Sequence, residues 1–365
     1  MKRRTFFQTT LCAGLGTPLL AAVKRNKHDA AADVLAKATA SGTVHAASLY
    51  VQRRDHVFAR SFGAAKSVDA IFLLASISKT ISAAAVMTLY DQQKFSLDDR
   101  VGKFIPEFTG DGRATITIRQ LLTHVSGLPD QLPQNAKLRA RHARLSEFVD
   151  GAIRTPLLFR PGSRYSYSSM AILLATEVAR RISGKKFSIL VDETVYKPLT
   201  MKHSAMGLGR FKLKDVMRCQ VEKAAPESGA GDPAAKSWDW NSAYWRKLGA
   251  PWGDAHGSAP DVARFLGEFL HPSGKMLKAE TARQMITNQN PPGLRPRGLG
   301  FNIGTSTGGP AGSKRAFGHT GSTGTLCWAD PRTETICVVL TTLPGRAANP
   351  HPRDIASHRI AESVK

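Results

Sequence analysis

Patterns typical of β-strands lie near both ends of the chain. Residues 46–52 and 57–62 alternate on either side of Arg53-Arg54-Asp55, which indicates a β-hairpin. The strand pattern returns only near the C-terminus, in residues 300–303, 324–329 and 335–342. Strands at both ends of a chain predict one antiparallel sheet that is assembled from both termini.

The chain between these strand groups follows a helical period instead. Apolar residues recur at helical spacing in residues 118–124, 145–154, 169–182, 187–195, 259–270 and 279–286. Further helices are predicted at 29–40 and 353–364. The expected fold class is therefore α+β: an antiparallel sheet flanked by helices, with a mostly helical subdomain inserted and a cleft between the two parts.

Residues 220–252 show neither period and predict a long loop over the cleft. The segment contains Trp238, Trp240 and Trp245. Such side chains could stack on a ligand, but aromatic residues in an irregular segment more often fix it to the protein body. Anchoring is the favoured interpretation.

Charge narrows the range of partners. The 365 residues include 51 Lys and Arg against 28 Asp and Glu, a formal net charge of +23. A surface this basic favours anionic partners, so an acidic cell-envelope polymer is an expected partner. The basic residues are scattered and not interleaved with aromatic residues, which argues against specific nucleic-acid binding.

The first 22 residues predict an export signal of the twin-arginine kind. Arg3-Arg4 precede a moderately apolar stretch that ends in small residues. Gly14, Gly16 and Pro18 interrupt this stretch, so no transmembrane domain is expected after signal removal. We expect an exported protein of the periplasm or envelope, with a catalytic domain at 29–345 and a C-terminal helical segment at 346–365 that packs on the sheet.

The cysteines do not indicate a disulfide framework. Cys219, Cys327 and Cys337 follow the signal, and their spacing is not that of a metal site. Cys327 and Cys337 flank a predicted turn and could lie opposite each other, although buried small side chains are the favoured interpretation. No metal and no cofactor are expected.

Candidate chemistry begins at Ser76-Ile77-Ser78-Lys79, which opens an apolar helix. Residues i and i+3 share a helix face, so the Lys79 amine can take the proton of the Ser76 hydroxyl. A second match, Ser183-Gly184-Lys185-Lys186, follows a helix and contains a glycine that ends helices. The nucleophile is therefore predicted at Ser76.

Two later segments complete a candidate pocket. Residues 161–169 present Tyr167 at a helix start, and residues 317–324 place small side chains just before a strand. The Ser76 and Ser322 backbone N–H groups would then stabilise the oxyanion of an acyl-transfer intermediate. His124 lies in a turn, where a structural role in tying the loop to a helix end is favoured.

These three motifs, in this order, resemble the serine hydrolases of the class C β-lactamase group. That group includes penicillin-binding DD-peptidases, D-aminopeptidases and carboxylesterases. The resemblance extends to residues 95–101, 121–129, 196–201 and 257–265. It implies a β-lactamase/transpeptidase-like fold, a nucleophile at Ser76, a base at Lys79, a second base at Tyr167 and a strand motif at His319-Thr320-Gly321.

Two departures from the family pattern concern substrate binding. Ser169 stands where lactam-hydrolysing relatives usually have asparagine, and His319 replaces the strand lysine. A largely neutral histidine would weaken recognition of a substrate carboxylate. A carboxylesterase-like activity on a small-molecule or peptide acyl substrate is therefore expected. A β-lactamase, DD-peptidase or D-aminopeptidase is the alternative.

Two other classes of protein compete with this interpretation. Gly304-Thr305-Ser306-Thr307-Gly308 matches G-x-S-x-G, but the Gly309-Pro310 that follows excludes the helix an α/β-hydrolase requires. A catalytically silent envelope protein that only binds is the other alternative, and labelling by an active-site phosphonate would distinguish it from an enzyme.

Overall fold

The computed structural model describes residues 26–304, 307 and 312–365. Its strands are β1 (Ala46–Arg53), β2 (His56–Gly63), β3 (Phe72–Leu73), β4 (Ala205–Met206), β5 (Ala255–Gly257), β6 (Asn302–Ile303), β7 (Phe317–Gly321), β8 (Thr325–Asp330) and β9 (Thr335–Thr341). Its α-helices are α1 (Asp29–Ala40), α2 (Ser78–Asp91), α3 (Ile118–Leu122), α4 (Asn135–Ala140), α5 (Leu145–Arg154), α6 (Ser169–Ser183), α7 (Phe187–Val191), α8 (Ala243–Leu248), α9 (Ala259–Leu270), α10 (Ala279–Met285) and α11 (Pro352–Ser363).

The main sheet joins the two ends of the chain. Its strand order is β2-β1-β9-β8-β7-β6, and every neighbouring pair is antiparallel. Strand β1 lies between its hairpin partner β2 and the late strand β9, with Leu49 opposite Val339. The predicted α+β class and the sheet built from both termini are confirmed.

Helices cover both faces of this sheet. Helix α9 packs on one face, while α1 and α11 pack on the other. All seven residues of β9 are buried as a consequence. A strand buried on both faces is a continuous apolar run, which explains why residues 335–342 show little alternation.

The two faces also separate the cysteines of the β8–β9 hairpin. Cys337 lies opposite Trp328 and packs with α1 and α11, whereas Cys327 packs in the core on the α9 side. Successive side chains of a strand point to opposite faces, so these two thiols cannot pair. The described cysteines are free and buried, as the favoured interpretation held.

Helix α2 is the centre of the inserted part. Its residues from Ser78 to Leu89 are all buried, and α6 and α7 pack against it. The three alanines Ala83, Ala84 and Ala85 allow this close approach of neighbours on several sides. The helix that follows the candidate nucleophile is thus held by the whole core.

Several elements differ from the sequence expectations. Strands β3, β5 and β4 form a small second sheet in that order, and residues 317–321 form a strand rather than precede one. Helix α7 is followed by a π-helical turn at Asp192–Tyr196. Helices α4 and α8 were not expected. Such short elements depend on packing more than on a local period.

The segment 220–252 is irregular, as predicted, except for short 3-10 turns and α8. Trp240 and Trp245 are buried in the main core, so their anchoring role is confirmed. The predicted export signal lies outside the described residues. Within the described part of the chain, no helix is both long and apolar enough to span a membrane.

Candidate active site

The candidate nucleophile lies at a bend that feeds the buried helix α2. A 3-10 turn at Ala75–Ile77 precedes α2, and Ala75 has the left-handed φ of +48°. The Lys79 Nζ lies 3.0 Å from Ser76 Oγ. Lys79 is 1% exposed, so this amine is held in the core beside the hydroxyl. The predicted Ser76–Lys79 pair is therefore brought together.

Residues 251–255 hold the first turns of α2 in place. The Trp252 carbonyl accepts a hydrogen bond from Lys79 Nζ at 2.7 Å, and the Pro251 carbonyl accepts one from Ser82 Oγ at 2.7 Å. The Ala255 N–H donates to Ser78 Oγ at 2.9 Å. These contacts fix the direction of the Lys79 amine. They could not be predicted from residue types because all three partner groups in residues 251–255 belong to the backbone.

Strand β7 approaches the nucleophile closely because Gly321 has no side chain. A Cβ at Gly321 would lie 2.1 Å from Thr325 Oγ1 and 2.5 Å from the Leu74 carbonyl oxygen. In the turn that follows β7, Thr323 Oγ1 donates to the Leu73 carbonyl at 2.7 Å, and Thr325 Oγ1 donates to the Leu74 carbonyl at 2.8 Å. The two threonines thus fasten the end of β7 to the approach to Ser76.

The geometry supplies a candidate oxyanion site. Ser76 and Ser322 line the same cleft. The Ser322 carbonyl accepts from the Gly345 N–H at 2.9 Å, and Arg353 Nη1 donates to the Gly321 carbonyl at 2.7 Å. These bonds orient the peptide group that contains the Ser322 N–H and the one that follows it. Preorganised N–H donors of this kind are what an oxyanion requires.

Tyr167 lies next to the Ser76–Lys79 pair. Its ring centroid is 4.9 Å from Lys79 Nζ and 6.0 Å from the ring of His319. Its hydroxyl is buried and has no hydrogen-bond partner in the described protein. A buried hydroxyl without a partner is uncommon and is available for a substrate or a water molecule.

His124 holds in place the turn that contains Tyr167. Its Nδ1 accepts from the Ser168 N–H at 3.2 Å, and Ser168 caps the start of α6. The His124 ring packs 4.7 Å from the Tyr167 ring. Burial, then the charges of Arg297 and Lys79, lower the pKa of His124 well below its usual value. The expectation that His124 ties its loop to a helix end is confirmed.

His319 is buried and faces a second buried cation. Its Nε2 lies 3.0 Å from Arg297 Nη2 and its Nδ1 lies 2.7 Å from the Thr320 carbonyl. Because arginine can only donate, Nε2 accepts and Nδ1 carries the proton. Burial first, then Arg297 and Lys79, lower the pKa of His319 well below its usual value. A neutral histidine is thus what the structure favours, as expected.

Arg297 is the most unexpected residue of the site. Its guanidinium is fully buried and donates to Asn302 Oδ1, to the Gly300 carbonyl and to His319. No carboxylate of the described residues lies within ion-pair distance of it, and its Nε has no partner there. A buried cation without an acid is costly, so it suits a site where negative charge develops. Sequence analysis missed it because it belongs to no motif.

Ser169 does not lie in the cleft wall. Its hydroxyl donates to Asp130 Oδ1 at 2.6 Å, and its N–H donates to the same oxygen at 2.9 Å. The side chain is 2% exposed. Ser169 therefore lacks the carboxamide expected at this position, and its hydroxyl already donates to Asp130.

The cleft over Ser76 has a volume of about 570 Å³ and contains Tyr167 and residues 319–322. Three arginines also line it: Arg295, Arg346 and Arg353. The weakened carboxylate recognition expected from His319 therefore concerns the strand position alone, since permanent cations from other segments line the cleft. The replacement of the strand lysine by His319 was visible in the sequence, but arginines from three other segments could be placed only by the fold.

The remaining candidate groups do not form a site. Within the described ranges, no three His, Cys, Asp or Glu side chains cluster as metal ligands. Lys186 is exposed at the start of α7, away from the buried α2. Thr305, Ser306 and Gly308 of the G-x-S-x-G match lie outside the described residues.

A serine and a buried lysine at the start of a core helix, beside a sheet strand and a cleft, define a serine hydrolase. The comparisons agree: the chain belongs to the beta-lactamase family, whose family model matches residues 31–361. The "Putative D-alanyl-D-alanine carboxypeptidase" of Escherichia coli K12 is 26% identical over 338 residues, covering 81% of this chain and 77% of that protein.

Solved structures show the same fold. A penicillin-binding protein homologue from Caulobacter crescentus superimposes with a TM-score of 0.72 at 21% identity, over 93% of this chain and 98% of its own. EstCE1, described as a hydrolase with promiscuous acyltransferase activity, gives a TM-score of 0.74 at 19% identity, over 91% of this chain and 98% of its own. These likenesses establish the β-lactamase/transpeptidase-like fold.

Proposed function

We propose that the protein is a carboxylesterase-like serine hydrolase that forms a covalent acyl-enzyme on Ser76. The observation that carries this proposal is the 3.0 Å contact between Ser76 Oγ and the buried Lys79 Nζ. A serine hydroxyl is a weak nucleophile until a neighbouring base accepts its proton. The amine already lies within proton-transfer distance.

The steps follow from the positions of the groups. Ser76 Oγ attacks the acyl carbonyl carbon while its proton moves to Lys79, and the negative charge forms on the carbonyl oxygen beside the Ser76 and Ser322 N–H groups. Tyr167 donates a proton to the leaving alkoxide as the bond to the acyl carbon breaks. Water then attacks the acyl carbon and gives its proton to the Tyr167 oxygen, while Lys79 returns its proton to Ser76 Oγ as that bond breaks, which releases a carboxylic acid and restores all three side chains.

The catalytic cleft supports two substrate classes. Ser169 is occupied by Asp130 and His319 is neutral, which disfavours the contacts that orient a lactam side chain and supports an ester substrate. Arg295, Arg346 and Arg353 instead favour an acyl compound that bears a carboxylate. A DD-carboxypeptidase is therefore the second candidate, and it is also the activity in the name of the Escherichia coli relative.

A labelling experiment tests the shared mechanism. Fluorophosphonate treatment followed by intact-mass and peptide mass spectrometry should give one adduct, on the peptide that contains Ser76. Protein that takes up no label would support the silent binding protein. A panel of p-nitrophenyl butyrate, nitrocefin and a D-alanyl-D-alanine peptide then separates the substrate classes. A higher kcat/KM on nitrocefin than on the ester would contradict the esterase proposal.

We further propose export to the periplasm or envelope, where acidic polymers would meet the basic surface. The support is the Arg3-Arg4 pair ahead of a weakly apolar stretch and the net charge of +23. Replacing both arginines with lysine should leave a precursor in the cytoplasm, measured by cell fractionation and immunoblotting. Equal export of this variant would remove the twin-arginine assignment.

A further inference from the structure

One acidic side chain lies among the arginines of the cleft. Glu227 lines the cleft over Ser76 together with Arg295, Arg346 and Arg353. Yet the Glu227 carboxylate forms no hydrogen bond or ion pair with a described residue. In a chain of net charge +23, a carboxylate that lies in a basic cleft without pairing is an exception.

The position of Glu227 is set by its backbone. It is the middle residue of the 3-10 turn Pro226–Ser228, which begins with a proline. Asn135 Nδ2 donates to the Glu227 carbonyl at 3.1 Å, and Ser228 Oγ donates to the Ala225 carbonyl at 2.8 Å. A turn fastened on both sides limits how far the carboxylate can move. The carboxylate is therefore held at the cleft without a hydrogen-bonded cation, although its charge acts on the buried Arg139.

Two of the three cleft arginines are in the same condition, whereas Arg353 already pairs with Asp354 at 3.1 Å. Arg346 is exposed and has no partner among the described residues, and Arg295 stacks over the Tyr165 ring at 5.2 Å without an acid. Two opposite charges that line one cleft but do not pair leave two separate binding positions, one for an anion and one for a cation.

We propose that the catalytic cleft selects acyl substrates that carry a positively charged amine, and that Glu227 recognises this amine. The proposal rests on the acyl-enzyme function above. It is independent of which group the arginines bind. It makes Glu227 a specificity-determining residue. A carboxylate opposite a substrate ammonium strengthens binding of the cationic substrate and changes binding of a neutral molecule of equal size only slightly.

Two matched pairs of esters test this selection on each side of the scissile bond. On the acyl side, p-nitrophenyl 6-aminohexanoate is compared with p-nitrophenyl heptanoate. On the leaving-group side, acetylthiocholine is compared with 3,3-dimethylbutyl thioacetate. The readout is the ratio of kcat/KM for the cationic ester to that for the neutral ester, at low ionic strength. In the wild type we expect this ratio to exceed one by about threefold to tenfold in one of the pairs.

Variants assign the selection to Glu227. Glu227→Gln should bring the ratio to about one, and Glu227→Lys should bring it below one. Glu222→Gln is the matched control, because Glu222 is an exposed acid of the same segment that does not line the cleft, and it should keep the wild-type ratio. The ratio is informative because a purely structural role would lower both rates together. This distinction is needed because the charge of Glu227 acts on the buried Arg139.

Two results would overturn the inference. One is a wild-type ratio of one or below in both pairs, and the other is a Glu227→Gln variant that keeps the wild-type ratio. Failure of the underlying function has a different signature, namely no turnover of either neutral ester together with no adduct on Ser76.

Discussion

The chain contains the pattern Ser-x-x-Lys twice, and the two copies lie in opposite surroundings. Ser76 lies in the turn that leads into the buried helix α2 and Lys79 lies in its first turn, so the amine is 3.0 Å from the hydroxyl. Ser183 ends α6, and Gly184 follows it with a φ of +68°. The chain leaves the helix there, so Lys186 is exposed and does not share a helix face with Ser183. Identical spacing gives a reactive pair only where a helix continues through it and a core surrounds it.

Removing each serine in turn should give the largest difference in activity between the two copies. Ser76→Ala should lower kcat/KM on p-nitrophenyl butyrate by roughly 10⁴-fold or more, because the covalent route is lost. Ser183→Ala should stay within about twofold of the wild type, since its hydroxyl contacts only local backbone groups: it donates to the Arg180 carbonyl and accepts from the Lys185 N–H. Circular dichroism checks that both variants fold. A comparable loss in Ser183→Ala would mean that the wrong serine was chosen.

A tyrosine accompanies only the first copy, so its hydroxyl should matter greatly. Tyr167→Phe should lower kcat by about 10²-fold to 10⁴-fold, because a phenyl ring cannot transfer a proton to the leaving group. The fold should persist, since the Tyr167 hydroxyl has no hydrogen-bond partner to lose in the described protein. Tyr165→Phe, in the same cleft, is the matched control and should cost less than about tenfold. Equal losses in the two variants would contradict a proton-transfer role for Tyr167.

Each copy has a neighbouring glycine: Gly321 approaches Ser76 in space, and Gly184 follows Ser183 in the chain. Replacing each by alanine should give a smaller difference than replacing the serines. In Gly321→Ala the new Cβ would collide with Thr325 Oγ1 and the Leu74 carbonyl, so β7 must move away from Ser76. We expect a loss of about 10²-fold in kcat and about 1 to 3 kcal/mol in the free energy of unfolding. Gly184→Ala meets no atom within 4 Å and strains only a left-handed backbone, at about 1 kcal/mol. Kinetics with urea unfolding would measure both, and normal turnover by Gly321→Ala would refute the close-approach argument.

The smallest expected effect is on the pH dependence of stability, where the buried His319 beside the Ser76 site is compared with an exposed histidine. The pKa of His319 is held well below its usual value in the folded protein, chiefly by burial, whereas the unfolded chain keeps a value near 6.5. As pH falls below 6.5, the unfolded state binds the proton first, so the folded state loses stability. The loss is about 1.4 kcal/mol for each pH unit per histidine.

His319→Gln should therefore reduce the drop in unfolding free energy between pH 7.5 and 5.5 by about 1 kcal/mol. Urea denaturation at the two pH values is the measurement. The exposed His271, replaced in the same way, is the control and should leave the drop unchanged. An unchanged drop in His319→Gln would indicate that this histidine is not kept neutral by the fold.

Local patterns predicted most elements and the proximity of Ser76 and Lys79, but not the electrostatics of the cleft. The hairpin near residue 54, the buried helix after Ser76 and the helix capped by Ser168 all have local signals, such as alternation, period or a capping hydroxyl. Strand β7 was missed because its glycines lower strand propensity, and its pairing on both sides compensates for them.

Arg297 and Arg353 show what a sequence alone could not supply. Each is a buried arginine whose hydrogen-bond acceptors include carbonyl groups: Gly300 for Arg297, and Gly321 and Thr325 for Arg353. Carbonyl acceptors leave no trace in residue identity, so the position of such a cation becomes visible only once the fold is known. These two cations were not predicted for this reason.

The threonine bonds between the β7–β8 turn and Leu73 and Leu74 connect residues 250 and 251 positions apart. A ribosome that has made Ser76 must therefore add most of the remaining chain before the strand beside it exists. Loop closure over such a distance comes late in folding, because its entropy is recovered only when the whole sheet forms. A nascent or truncated chain would thus display an inert serine, and acylation of Ser76 would report that synthesis and folding have both been completed.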